Sequence, residues 1–396
     1  MRRNIGIVGG SIAGSALAER LLRGGHRIEV FERSSSDLED RGLGIAMDPS
    51  VAGTLGKDFG TPLERRVVFD RNGVVRWTKR LSKRTVRWNA VHHALSATLP
   101  DGIVRRGASV REAGGDGDAA WLRTEAGDRH DFDLVIGADG IGSRVREMVD
   151  PGFRTDFLGY VAIRGLVRID ELPPEAGPVC EAMLEDSMVN AYLDRSHVVA
   201  YPIESASGEA MVNWMWYRNT TIDDLEGLVG SDADGTPRRS LPPGGIPADH
   251  LETFRGEASG SMAASMSSIL LSSDSWSLQA IHAGTASTAV AGRLVLIGDA
   301  ARIAIPHVGA GTSMAIVDAR SLAEAIDGAD ADLDRRLERW AETRRGETEE
   351  AISFGRDLGR FLQCSGTDWT TWSSADYERW WSGLLDDRRL YFESTQ

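Results

Sequence analysis

The chain has 396 residues, 41% hydrophobic and 26% charged, which supplies apolar material for a sizeable core and sets an expectation of two or three domains. Its 45 basic and 59 acidic residues give a formal charge of -14, so a nucleic-acid backbone is repelled and excluded as a partner. Cys180 and Cys364 stand far apart with no metal-ligand spacing, so neither a disulfide framework nor a metal site is expected, and a reducing cytoplasm is the expected location.

Arg2 and Arg3 ahead of an apolar stretch resemble a secretory leader, but Gly6, Gly9, Gly10 and Gly14 interrupt that stretch and fit another pattern. Ile5-Gly6-Ile7-Val8 reads as a β-strand, Ala13, Ala16, Leu17, Leu21 and Leu22 recur at helical spacing, and Ile28-Glu29-Val30-Phe31 reads as a second strand. The turn Gly9-Gly10-Ser11-Ile12-Ala13-Gly14 aligns to G-x-G-x-x-G, with Ser11 in the second glycine place. Gly9 allows the tight turn, a small residue 11 lets backbone approach a pyrophosphate, and Gly14 lets helix and strand pack closely. Glu32 ends the second strand, 18 residues beyond Gly14, where a carboxylate accepts from ribose hydroxyls. This unit predicts a dinucleotide site with phosphates on the helix N-terminus, and leaves NAD and FAD open.

Residues 69-88 read as a hairpin turning at Asp70-Arg71-Asn72-Gly73. An apolar run from Leu134 to Ile136 leads into Gly137-Ala138-Asp139-Gly140 and a basic helix start at Arg144. Strands are expected at Tyr160 to Val167, Met188 to Leu193, His197 to Pro202 and Ala210 to Tyr217, followed by a long loop from Gly230 to Asp249. A third apolar run, Leu294 to Ile297, ends in Gly298-Asp299 and is followed by Pro306-His307-Val308-Gly309-Ala310-Gly311-Thr312 and a helix from Ser313 to Ile326. Asp139 and Asp299 are expected to be exposed strand-end carboxylates, each able to meet a sugar-like polyol, while the amides from Gly309 to Thr312 can hold a phosphate or ring oxygen. Beyond residue 331 the chain turns charged and helical. The aromatic tail holding Trp369, Trp372, Tyr377, Trp380 and Trp381 reads as an amphipathic cap on the dinucleotide domain, or as a homodimer contact or a lid. No segment approaches the roughly 18 uninterrupted apolar residues of a membrane span.

The three glycine-acid motifs, in this order, resemble those of the class A flavoprotein monooxygenases, the group of para-hydroxybenzoate hydroxylase. A narrower resemblance, to the 2,6-dihydroxypyridine hydroxylase branch, is carried by Arg41-Gly42-Leu43-Gly44-Ile45, Gly159-Tyr160-Val161-Ala162-Ile163-Arg164-Gly165, Asn213-Trp214-Met215-Trp216 and Pro306-His307-Val308-Gly309, with Trp88 where most of the class has arginine. The resemblance implies an α/β fold: a discontinuous Rossmann-like FAD-binding domain (1-68, 89-158 and 276-330), an inserted β-rich substrate domain (69-88 and 159-275) and a C-terminal helical region (331-396). It implies FAD held by Gly9, Ser11, Ile12, Ala13, Gly14, Glu32, Arg33, Arg41, Trp88, Val110, Asp139, Asp299, Pro306, Gly309, Ala310, Gly311 and Thr312. It implies NAD(P)H as a transient co-substrate, and dioxygen added to the reduced flavin as a hydroperoxide that hydroxylates a small aromatic or heteroaromatic ring. Where relatives often carry basic residues this chain has Ile305 and Met314, so a cationic anchor for an acidic substrate is missing there.

Candidate substrate-site residues come from the inserted strands. Trp214 and Trp216 share one strand face and compete with a plain core role; Tyr160 and Arg164 share another; Asn190 and Tyr192 lie near a hairpin turn. His197 reads as a turn residue, Tyr201 as either a core phenol or a donor to substrate, and His307 as a loop-fixing, substrate-facing group rather than a proton carrier. A tryptophan-halogenase reading of Trp214-Met215-Trp216 fails because Tyr217-Arg218 follows in place of Ile-Pro. The competing functions are a flavin oxidase or dehydrogenase of the same fold and a flavin-binding protein without turnover.

Overall fold

In the computed structural model, which describes residues 2-36, 43-205, 207-231, 238-328 and 332-385, the apolar run near the N-terminus forms the strand Asn4–Val8 at the middle of a six-stranded sheet. Arg27–Glu32 and then Val104–Arg106 lie to one side of it; Leu134–Gly137, Leu294–Leu296 and Val290–Ala291 lie to the other. All pairings are parallel except the last, which is antiparallel. The helix Ile12–Arg23 carries the chain from the central strand to one neighbour, and the other neighbour arrives much later. Strand order therefore reverses beside Asn4–Val8 and opens a crevice at the strands' carboxyl ends, where such sheets take their ligands.

The second sheet has ten strands and runs from Ser240–Leu241 through Trp276–Thr285, Asp156–Arg168, Ala210–Asn219, Ser196–Glu204, Ser187–Leu193, Thr61–Phe69 and Val75–Arg87 to Gly44–Met47, with Arg302–Ile303 joining Trp276–Thr285. The expected hairpin is wider than residues 69-88, because its first strand begins at Thr61. Its turn is closed by the Asp70 carboxylate, whose Oδ1 accepts from the amides of Asn72 (2.8 Å) and Val74 (3.1 Å). Trp276–Thr285 pairs antiparallel with Asp156–Arg168 and so belongs to this sheet, not to the six-stranded one as the boundary at 276 supposed. Both corrections concern long-range pairing, which periodicity along a strand does not encode. The stretch from Gly230 to Asp249 is not all loop: Ser240–Leu241 pairs with Gln279 and Leu278, the helix Ala248–Ser261 begins within it, and 232-237 fall outside the described residues.

The C-terminal region forms the helices Leu333–Cys364 and Ser374–Leu385. Leu333, Leu337 and Trp340 pack into the core of the six-stranded sheet, and the aromatic tail packs on both domains rather than on the dinucleotide domain alone. Trp369, Tyr377 and Trp381 are buried against Val68, Trp77 and Tyr192 of the ten-stranded sheet and against Ala310 and Met314, and Tyr377 stacks on Trp77 at 5.9 Å. Within the long helix, Arg344 reaches the buried Asp318 carboxylate (2.7 Å), which also accepts from Arg302 (2.9 Å) and from the amide of Gly298 (2.9 Å). No described helix is long and apolar enough to cross a membrane.

Candidate active site

One cavity of about 1560 Å³ runs from the glycine-rich turn to the face of the ten-stranded sheet, more space than a single drug-sized ligand fills. Every residue expected at the cofactor lines it except Gly14, which packs behind the turn, and Arg41, which lies outside the described residues. Gly9 has φ +101° and a Cβ there would meet the Ala138 carbonyl oxygen at 2.4 Å; at Gly14 it would meet the Gly9 carbonyl oxygen at 1.9 Å. Only glycine keeps this turn closed. Ser11, at the start of the helix, makes no side-chain cap, which leaves the first-turn amides for a phosphate. Glu32 is fixed by the amides of Gly10 and Ser34, both at 2.8 Å, with lone pairs left for ribose hydroxyls.

The two later carboxylates differ from each other. Asp139 is not a free exposed group: it accepts from Ser143 Oγ (2.5 Å) and the Arg144 amide (2.7 Å), and burial pushes its pKa up. Asp299 keeps an open face, but that face looks into the cleft; burial by the surrounding chain, opposed by Arg146 and reinforced by Asp318, pushes its pKa up to about 6. Arg146, which sequence reading passed over, donates to the carbonyls of Ile141, Ala300 (3.0 Å) and Asp299 (3.3 Å) and so joins the two motifs. Beyond Asp299, Gly309 takes a left-handed conformation (φ +58°), and the helix Gly311–Asp327 opens with no side-chain cap and no acid in its first turn. Its positive end and free amides suit an electron-rich ring edge or a phosphate. Trp88 stacks on His92 at 5.3 Å along the opposite wall. A strained glycine turn, an oriented carboxylate, a desolvated carboxylate and two uncapped helix starts on one groove fit FAD.

At the far end the wall is the ten-stranded sheet. Trp214 and Trp216 do not reach it. Both are buried in the core on the opposite face, with Nε1 donating to Ser273 Oγ (2.7 Å) and Ser196 Oγ (2.8 Å) respectively, whereas Met215 and Tyr217 line the cavity. Strand alternation makes the choice, and the sequence did not reveal it because both faces carry large side chains. Arg164 does line the cavity, and it shares an acceptor with Tyr201: both donate to the Gly44 carbonyl, at 3.0 and 2.9 Å. The Tyr201 phenol, pushed up to about 12 by burial, spends its proton on that strand rather than on a ligand.

His307 stacks on Tyr160 (5.5 Å) with Nε2 3.1 Å from its hydroxyl, and burial pushes its pKa down to about 3, so it is neutral. His197 is not a turn residue. It is 2% exposed within Ser196–Glu204, stacks on Tyr217 at 4.4 Å, meets Gln363 Nε2 through Nδ1 (2.9 Å), and is held neutral by burial and by His307. Asn190 and Tyr192 are buried in Ser187–Leu193, Tyr192 next to its hairpin turn as expected, and both line the cavity. The spacing of His197, Val199 and Tyr201 on one strand face was the signal available for His197; nothing local marked Gln363.

The two large sheets define a flavoprotein, in which the groove at the six-stranded sheet would hold FAD and the pocket at the ten-stranded sheet continues from it. A family model described as FAD binding domain-like matches residues 157-283, and one described as FAD binding domain matches 260-346. A 3-amino-4-hydroxybenzoate 2-monooxygenase of Streptomyces platensis is 30% identical over 379 residues, 90% of this chain and 88% of the relative. A 2,6-dihydroxypyridine 3-monooxygenase of Paenarthrobacter nicotinovorans is 28% identical, covering 86% of each chain. The solved 2,6-dihydroxypyridine-3-hydroxylase from Arthrobacter nicotinovorans superposes with a TM-score of 0.84 at 25% identity, over 93% of this chain and 94% of that one. The chain belongs to the class A flavin monooxygenases.

Proposed function

We propose that this chain uses NAD(P)H and dioxygen to hydroxylate a small, electron-rich aromatic or heteroaromatic ring. The observation that carries this reading is the single cavity joining the cofactor groove to a compartment walled by Tyr192, His197, Met215, Tyr217 and His307. When bound, FAD supplies the electrons of NAD(P)H to dioxygen and so the electrophilic oxygen. The chain supplies placement, dryness and hydrogen bonds.

Tyr217 and His197, stacked on each other and buried at the cavity wall, form the flat packing behind the place where a ring would lie. Asn190 is buried with one end of its amide unpartnered, and His307 Nδ1 is likewise unpartnered, so each offers a hydrogen bond to a ring hydroxyl or amino group. Gln363 Nε2 donates to His197 Nδ1, so the neutral ring carries its proton on Nε2 and offers it as a hydrogen-bond donor to a substrate oxygen. The C-terminal helix excludes water here through Leu358 and Leu362.

The test is a panel of hydroxy- and amino-substituted rings added to the FAD-loaded protein. A binder should perturb flavin absorbance and raise NAD(P)H oxidation severalfold. Tyr217→Leu should keep FAD but divert reductant to peroxide, since a ring displaced by about 1 Å reacts on the order of a hundredfold more slowly. A panel without any binder, or a Tyr217→Leu variant as well coupled as the parent, would count against this reading.

A further inference from the structure

The hairpin of Thr61–Phe69 and Val75–Arg87 gives the aromatic compartment a cation that the reading above does not use. Arg66 lines the cavity, and the parallel pairing with Ser187–Leu193 sets it beside Met188, which lines it too, with Asn190 two residues further along that face. A second cation, Lys83, lines the cavity from the neighbouring strand.

Arg66 is held by its flat face. Its guanidinium lies 4.3 Å from the centre of the Trp381 ring, and Trp381, itself buried, packs on Trp77 (5.7 Å) and Phe354 (5.8 Å). Stacking of this kind uses the face of the guanidinium and leaves its N–H edge for acceptors lying in the plane. On that edge Nε is buried with no hydrogen-bond partner. Leaving a donor of a charged group unmet is costly, and an acceptor that arrives with the substrate recovers the cost. The charge is felt inside the compartment, since burial pushes the Tyr192 phenol up and Arg66 opposes that rise. Glu378, the carboxylate that Ser374–Leu385 brings to the hairpin, is taken by Lys79 and by Trp77 Nε1 (3.1 Å).

We propose that Arg66 anchors an anionic substituent of the substrate, a carboxylate, so that the ring taken by this protein is that of an aromatic acid. This rests on the reading above, in which a ring is bound in this compartment. The edge of a guanidinium matches the two oxygens of a carboxylate, and an anion approaching a chain of net charge -14 needs a local positive site. Trp381 and Tyr192 belong to one packed cluster with Val308 and Ala310 of the loop beside the cofactor. An acid held at Arg66 therefore sets its ring between the hairpin and that loop, where Asn190 and His307 offer their hydrogen bonds. The anchor stands on a different element from Ile305 and Met314, where the sequence offers no cation.

The experiment is equilibrium binding, read by flavin absorbance in oxygen-free, FAD-loaded protein, of 4-hydroxybenzoate, 4-aminobenzoate and salicylate, each beside its own carboxamide. In at least one pair the parent should bind the acid about ten- to hundredfold tighter than the amide. Arg66→Gln should bring the acid to the level of the amide, with Arg66→Lys between, while FAD content and affinity for the amide stay as in the parent. Acids that bind no better than their amides in all three pairs, or a preference that survives Arg66→Gln, overturn the anchor. An acid preference that behaves as described, with no oxygenated product, keeps the anchor and removes the monooxygenase reading; oxygenated product from the amides, with the acids ignored, does the reverse.

Discussion

A methyl group at residue 14 would sit 1.9 Å from the Gly9 carbonyl oxygen, a distance no side-chain shift relieves because both partners are backbone. Gly14→Ala, and more so Gly14→Val, should therefore cost FAD occupancy, read as the flavin-to-protein absorbance ratio; full occupancy would show that the turn does not hold the pyrophosphate. Trp214 makes the opposite case. Trp214→Phe loses the bond to Ser273 within the core, and should lower stability by about 1-2 kcal/mol in a denaturant melt while leaving the peroxide yield unchanged. Asp299 links function to pH. A carboxyl whose folded pKa is raised from 3.8 to about 6 binds its proton more tightly when folded, so FAD-free protein loses stability as pH rises through that window. Hydroxyls of FAD donate best to the ionised form, so FAD affinity should fall as pH drops below about 6. Asp299→Asn should bind FAD more weakly and without that pH limb; a titration that keeps the limb would separate it from Asp299.

At the scale of elements, the C-terminal helices connect the two sheets. Arg344 reaches Asp318 beneath the Gly298 turn, Gln363 fixes His197, and Trp369 donates to the Leu193 carbonyl at 3.1 Å. Asp318→Asn would leave Arg302 and Arg344 buried without their shared anion and should cost about 3-5 kcal/mol, with FAD lost early in a thermal melt. Gln363→Leu frees the His197 ring without touching the cofactor groove. It should weaken ring binding and leave FAD bound, which a flavin-absorbance titration reads directly. The strand Gly44–Met47 is held from the other side, since its first carbonyl accepts from both Tyr201 and Arg164 and its amide donates to Asn213 at 2.7 Å. A Cβ at Gly44 would meet Asn213 and Tyr201 at 2.8 and 2.9 Å, so this edge strand is placed by the substrate sheet rather than by its own sequence.

Across the whole molecule, what the sequence made legible follows how local the physics is. The first strand, turn and helix, the Asp70 turn and the Gly309 loop are dictated by neighbours within a few residues, and each lies where glycine, acid and apolar spacing placed it. The strand Trp276–Thr285 was legible as a strand but not as a member of the substrate sheet, because pairing partners over a hundred residues away carry that information. The same limit hid Tyr217 and His197 behind Trp214 and Trp216, since one residue of register decides which face meets the cavity. Arg146 and Gln363 were invisible for a further reason: each works by reaching the backbone or ring of a distant element. On the proposed function this cavity passes one atom of dioxygen to a bound ring. Turnover with NAD(P)H, a stimulating ring and isotopically heavy dioxygen should give product carrying one heavy oxygen; unlabelled product with peroxide matching all reductant consumed would make the protein an oxidase instead.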